Sequence, residues 1–217
     1  MEQSVSGVGV IDKAVTVLGA VDPDGASLNE LIERTGLSRA TAHRLASALE
    51  VHGFLRRTVD GRFALGPRLV VLGSSAAAGW PLADAARPAL GQLRDETGES
   101  AQLFVRDGDS RVCIASLQSP YGLRTIVATG AVLALDQGSG GRVLTGEVGP
   151  GGWVASVAER EAGVASVSAP VVDRSGVVVA AVSVSGPIER LTNDPGAAYG
   201  PAVAAAAARI AEEAGIA

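Results

Sequence analysis

Apolar residues recur at helical spacing through the early part of the chain. Ile11, Ala14, Val15 and Leu18 fall on one face of a first helix. Leu28, Leu31 and Ile32 fall on one face of a second, and Ala42, Leu45, Ala46 and Leu49 on one face of a third. Ser27 followed by Glu30 has the spacing of a capping box that opens the second helix. Gly36 stands where that helix ends in a left-handed residue, and Ser38 stands where the third begins. So few residues between two helices predict a helix-turn-helix. The pattern then changes: Phe54, Leu55, Val59, Phe63 and Leu65 mark two short strands around the turn signal Asp60-Gly61. Three helices and a hairpin make a winged helix-turn-helix over residues 1–66.

Beyond it, residues 67–80 read as a helical connector, with Pro67 in its first turn, and Pro81 breaks the chain. Residues 82–97 carry a helical stripe of Leu82, Ala86, Leu90 and Leu93. Two hairpins follow, one turning at residues 107–109 and one at 174–176. An alanine-rich helix, starting at about Pro201 with Val203, Ala207, Ile210 and Ala214 at helical spacing, closes the chain. Antiparallel strands wrapped by terminal helices give an α+β domain over residues 81–217. Hydrophobic residues make up 47% of the 217-residue chain and aromatics only 3%, so its core is built from Ala, Val, Leu and Ile.

Charge changes this picture. The chain carries a formal net charge of -5, yet Arg34, Arg39, Arg44, Arg56, Arg57, Arg62 and Arg68 face only Glu50 and Asp60 between residues 34 and 68. A local surplus of +5 attracts phosphate even when the whole molecule is acidic. With Leu45 and Leu49 on the core side of the third helix, Ala40, Arg44 and Ser47 turn away from it, flanked by Arg39 and His43. Arg39, in the first turn, is placed to read a guanine edge in the major groove. Arg44, further along, suits a phosphate, and His43 suits either. Ser38, Ala40 and Thr41 complete the helix start, where Thr41 can touch a thymine methyl or a phosphate. The wing brings Arg57 and Arg62 near DNA. The alternative for each is an ordinary exposed side chain.

Chemistry is scarce. No HExxH, phosphate loop or cysteine cluster is present. Both histidines, His43 and His52, and the one lysine, Lys13, lie in the front part, so the serines of the second domain have no histidine or lysine base. The single Cys113 lies in an apolar strand-like run, where it reads as a small buried hydrophobe. A binding protein is expected, with no enzymatic activity, metal or cofactor. The first residues lack a basic start followed by a long apolar run, and no stretch reads as a membrane span, so the expected location is the cytoplasm.

The stretches "VGVIDKAVTVLGAV", "LNELIERTGLSRATAHRLASALEVHGFLRR" and "DGRFALGPRLVVLG" resemble the front of an IclR-type transcriptional regulator. The resemblance continues at "ETGESAQLFVRDGD" and at "GVASVSAPVVDRSGVVVAAVSVSGPIERLT", and so runs through nearly the whole chain. It implies a GAF-like effector-binding domain behind the winged helix, a homodimer or tetramer, and a palindromic double-stranded DNA operator. "GVGVIDKA", "ESAQL" and "REAGVASVSAPV" ahead of "VSVSGPIERLT" are most similar to the short actinobacterial regulators of amino-acid metabolism, notably leucine biosynthesis. An amino acid or a related intermediate is the effector this branch implies.

Within that resemblance, "DQGSGGR" at 136–142 matches the loop and helix start that closes one end of the family's effector pocket. Asp136 and Arg142 stand where the family has histidine and lysine, and Gly138, Ser139 and Gly140 lie between them. Read as a polar glycine-rich turn, this segment offers backbone N–H groups as a nest for a carboxylate. A free carboxylate at Asp136 would either repel an acid ligand or pair with an ammonium. Ser156 replaces the family's acid, Ser166 its frequent cysteine, and Ser183 and Ser185 match its paired serines, which face one side of a strand. A neutral, hydroxyl-rich pocket follows, suited to a zwitterion or small polar metabolite. The family's longer segment before the "GW" strand is reduced to residues 143–151, which leaves one pocket wall thin or missing and the pocket open to solvent, filled by a partner subunit or without a ligand. Two rivals remain: a DNA-binding dimer whose second domain only oligomerises, and a protein-interaction module without DNA contact.

Overall fold

The computed structural model describes residues 6–78, 81–192 and 194–217. The chain divides into two compact units between residues 79 and 80.

In the first unit, α1 (Gly9–Gly19), α2 (Leu28–Thr35) and α3 (Arg39–Val51) precede the antiparallel hairpin β1 (Leu55–Arg57) and β2 (Phe63–Leu65), and α4 (Pro67–Ala78) follows. The local signals around α2 act as written. The Ser27 side chain accepts from the Glu30 N–H while the Glu30 carboxylate accepts from the Ser27 N–H, and Gly36 closes the helix at φ 67°. Ser38 caps α3 by accepting from the Thr41 N–H. Val17, Leu31, Leu45, Ala46, Leu55 and Phe63 form the core. Ala26 and Phe63 exchange backbone hydrogen bonds of 2.7 and 2.8 Å, which ties the wing to the start of α2.

Two expectations fail here. The buried face of α1 is Ala14, Val17 and Leu18, whereas Ile11 and Val15 are 54% and 61% exposed. Helix α1 keeps Asp12, Lys13 and Thr16 on one side, but the apolar arc left over is wide enough to hold both Ile11 and Val15 and the buried Val17, so periodicity alone does not say which part of it is covered. Val59 lies outside both strands, fully exposed on the turn.

The second unit is a six-stranded sheet in the order β5-β4-β3-β8-β7-β6, every neighbouring pair antiparallel. Its strands are β3 (Ser100–Asp107), β4 (Ser110–Leu117), β5 (Val132–Ala134), β6 (Val154–Val157), β7 (Val164–Val172) and β8 (Val178–Pro187). Helices α5 (Pro81–Thr97) and α8 (Pro195–Glu213) cover one face, where Leu90, Leu93, Val203 and Ile210 meet Leu103, Val167, Val182 and Val184. Helix α6 (Gly138–Leu144) covers the other, where Val143 and Leu144 meet Phe104, Cys113, Val154 and Ala181. A short α7 (Ile188–Leu191) links β8 to α8.

Helix α8 starts six residues before the expected Pro201, and Pro201 lies inside it. Pro195 occupies the first turn and the Asp194 carboxylate accepts from the Ala197 N–H, a stronger start than Pro201 alone. The early start brings Gly196 and Gly200 onto Trp153. A Cβ at Gly200 would lie 2.2 Å from the indole ring, so this contact admits only glycine.

Candidate functional site

The exposed side of α3 carries Arg39, Ala40, His43 and Arg44. With Leu28 and Arg57, the first three line a groove beside the helix. Arg39 Nη1 donates to Asn29 Oδ1 at 2.9 Å, which steadies the guanidinium from α2 while leaving its remaining N–H groups free to reach outward. Among the described residues Arg44 has no carboxylate partner. Ser38 and Thr41 share a hydroxyl hydrogen bond of 2.9 Å and the helix cap, so their first task is to begin α3.

The wing arginines differ from their expected roles. Arg62 folds back onto α2. Its Nη2 donates to the Gly25 carbonyl at 2.9 Å and lies 3.0 Å from Glu30 Oε2, so it fastens the wing to α2. The Ser27 bonds and Arg62 pull the Glu30 carboxyl down to about 2. Arg57 lies 3.6 Å above the Phe63 ring, donates to the Gly61 carbonyl at 2.7 Å and lies 3.4 Å from Glu50. It lines the groove but is held by the wing. In this unit Asn29 is a residue the sequence did not single out; its polar side chain in the first turn of α2 was the available signal.

In the second unit a cavity of about 30 Å³ lies between α6 and the sheet. Gly138, Gly140, Ser156, Ser166, Ser183 and Ser185 all line it. Ser139 is fully buried behind the wall, where its Oγ lies 2.7 Å from both Ser166 Oγ and Ser168 Oγ. Gly140 lets α6 approach this closely: a Cβ there would lie 3.3 Å from Ser183 Oγ.

Three expectations are corrected at this cavity. The segment 136–142 is a helix start whose first donors are used internally. Gly138 N–H donates to Glu159 Oε2 at 3.2 Å and Ser139 N–H to Ser156 Oγ at 3.1 Å. Asp136 is exposed and does not line the cavity, so it offers no ammonium partner inside. Nor is the wall neutral: Arg111 and Arg160 line it together with Gln102. Arg111 is only 3% exposed, with Nη1 donating at 2.6 Å to the carbonyls of Ala134 and Gln137. Burial, then the charge of Arg160, push its guanidinium down to about 10, against the pull of Asp136. It remains a cation at neutral pH. A Cβ on Gly141 would lie 2.5 Å from Arg111 Nη1, so that glycine keeps the guanidinium's place open. Arg142 faces outward to Glu147 and Glu159, which raise its pKa. The Cys113 thiol is fully buried and pushed up to about 11 by that burial, an inert filler.

Among the described residues no group of three or more His, Cys, Asp and Glu could hold a metal, and no single helix is long and apolar enough to cross a membrane. The model of the IclR helix-turn-helix domain matches residues 10–58, and that of the bacterial transcriptional regulator IclR C-terminal domain matches residues 74–147 and 146–212. The chain belongs to the IclR family of transcriptional regulators. Its relatives are regulators, not enzymes. The HTH-type transcriptional regulator KipR of Bacillus subtilis is 25% identical over 77% of this chain and 81% of its own length. The glycerol operon regulatory protein of Streptomyces griseus is 28% identical over 77% of this chain and 79% of its own. An IclR homolog from Microbacterium hydrocarbonoxydans, crystallised with 4-hydroxybenzoate, shares the fold with a TM-score of 0.80 at 22% identity, covering 96% of this chain and all of that one. This IclR-family regulator therefore pairs a DNA-binding helix-turn-helix with an α+β domain.

Proposed function

We propose that this regulator binds a palindromic operator as a homodimer, with one α3 per half-site, and that its second unit senses a small metabolite. The observation that carries the reading is the pairing of Arg39 and Arg44 on the exposed side of a capped α3. Arg39, steadied by Asn29, reads a base edge; Arg44 holds phosphate; Ala40 and His43 border the groove, and Ser38 and Thr41 set the helix start. Arg57 supports the wing beside them. Two copies supply the symmetry that a two-fold operator requires. The location is the cytoplasm, where the DNA is. The resemblance to the amino-acid branch points to genes of amino-acid or secondary metabolism, with an amino acid or related intermediate as effector.

Gel shifts with fragments of the source genome test this. Selected fragments should compete far better than random DNA at physiological salt; equal competition would refute it. A second reading, in which the rear unit only oligomerises, draws support from the cavity, whose 30 Å³ admits only a few atoms as it stands. A metabolite panel read by calorimetry separates the two. Control further requires that the ligand favour one arrangement of the DNA-reading units over another, since equal affinity for both shifts nothing.

A further inference from the structure

The second unit also carries an open groove of about 510 Å³, which shares only Val164 with the cavity under α6. Residues 123–126, beyond β4, contribute to it, and so do Ala162, Val164 and Pro187 around the start of β7 and the end of β8. Leu123 and Ile126 are 70% and 61% exposed. Along this segment exposure alternates: Thr125 and Val127 are buried, Ile126 and Ala128 exposed. That is the alternation of a strand, yet the segment belongs to neither sheet.

Its backbone is bonded on one side only. The Leu123 carbonyl accepts from Arg190 Nη2 at 2.8 Å, and the Thr125 carbonyl from Ser100 Oγ at 2.7 Å. In an extended chain successive residues turn their N–H and C=O to opposite sides, so those of Arg124 and Ile126 face the other way. Among the described residues these four groups have no hydrogen-bond partner. Thr125 adds a further unused polar group: it lines the groove at 7% exposure, and its Oγ1 is buried without a partner. Charge gives the groove a sign. Glu161 and Glu189 both line it, and Arg124 does not neutralise them. Arg124 Nε donates to Gln118 Oε1 at 3.0 Å, and its Nη1 to the carbonyls of Tyr121 and Gly122 at 3.1 and 3.2 Å. Glu161 has only Arg160, at 3.7 Å, and Glu189 is exposed with no ion pair among the described residues.

We propose that residues 123–126 are a docking edge for an extended segment of a partner protein, one that alternates apolar and basic residues. The free N–H and C=O groups of Arg124 and Ile126 pair with its backbone, as in strand addition to a sheet edge. Its apolar side chains pack on Leu123, Ile126, Val164 and Pro187, and its basic ones meet Glu161 and Glu189. A helix would leave the edge unpaired, and an acidic segment would meet like charge. No proline or lysine within 123–127 guards the edge against such pairing. The inference goes beyond operator binding and effector sensing and depends on neither.

The test is NMR on the ¹⁵N-labelled full chain, titrated with acetyl-Val-Lys-Val-Lys-Val-amide, with the same peptide carrying glutamate for lysine, and with a lysine peptide whose central valine is proline. The first should shift the backbone amides of Arg124 and Ile126 saturably and slow their hydrogen exchange. The glutamate peptide should bind about tenfold more weakly, because two exposed ion pairs become two repulsions. The proline peptide lacks the central N–H and should lose most of its binding. Glu161→Lys with Glu189→Lys, both at exposed positions, should reverse the preference and make the glutamate peptide the tighter ligand. Equal affinity for the lysine and glutamate peptides, undiminished binding of the proline peptide, or a preference indifferent to the double substitution would overturn the proposal. So would the lack of saturable binding by the lysine peptide, or binding that leaves the Arg124 and Ile126 amides unmoved. Shifts of those amides with protein concentration alone would assign the edge to a second copy of the chain and overturn it too.

Discussion

At the scale of single residues, the arginines of the first unit are sorted by what lies within reach. Arg62 is held by Glu30 and Gly25, Arg57 by Phe63, Gly61 and Glu50, and Arg39 in part by Asn29. Arg39→Ala should lower affinity for the operator and relax specificity, because a bidentate base contact discriminates by about 1–3 kcal/mol. Arg44→Ala should weaken all DNA evenly and lower the salt slope by about 1. Gel shifts at several salt concentrations distinguish the two. Glu30 gives a pH prediction. Its carboxyl is pulled from 4.5 down to about 2 in the folded state. The stabilisation is therefore complete above about 4.5 and fades as pH falls toward 2. Glu30→Gln should lower the melting temperature at pH 7 and flatten its fall through that acid window, as read by circular dichroism. Pairings of this kind are invisible along the chain, since Glu30 and Arg62 lie 32 residues apart. Arg111 was hidden differently. It opens a strand that reads as apolar, yet it lies two residues before the buried Cys113 and so shares its face. That period-two placement was the signal for a buried cation.

At the scale of elements, legibility follows the range of the forces. Helices α2 and α3 were readable because their starts and stops are fixed within four residues by Ser27, Glu30, Gly36 and Ser38. Ser38→Ala should cost about 1 kcal/mol of stability and loosen the first turn of α3, lowering DNA affinity as well. The buried face of α1 was not readable, because its valines and isoleucine span a wide arc and only its packing partners choose between them. The start of α8 was misplaced because two prolines compete for it, and the choice rests on Asp194 and on the contact with Trp153. Gly200→Ala should force that contact apart and destabilise the second unit by about 1–3 kcal/mol. Urea unfolding followed by circular dichroism measures the loss.

At the scale of the whole molecule, symmetry and charge are what matter. Val10, Ile11 and Val15 on α1, and Val70 and Val71 on α4, are each more than half exposed. Apolar surface of this kind suits a second copy of the chain. Ile11→Asp with Val15→Asp should give a monomer by sedimentation and lose operator affinity while each α3 stays folded. The overall charge of -5 disfavours non-specific DNA binding, so affinity has to come from the few arginines around α3 and, in the proposed dimer, from their duplication. The most direct test of operator recognition is a salt-controlled competition with purified full-length protein. Affinity is measured for a genome-selected palindrome and for the same base pairs scrambled, at about 0.15 M salt. The palindrome should bind at least about a thousandfold more tightly, and Arg39→Ala should erase most of that ratio. Equal affinity for the two sequences, or a ratio indifferent to Arg39, would contradict sequence-specific recognition by α3.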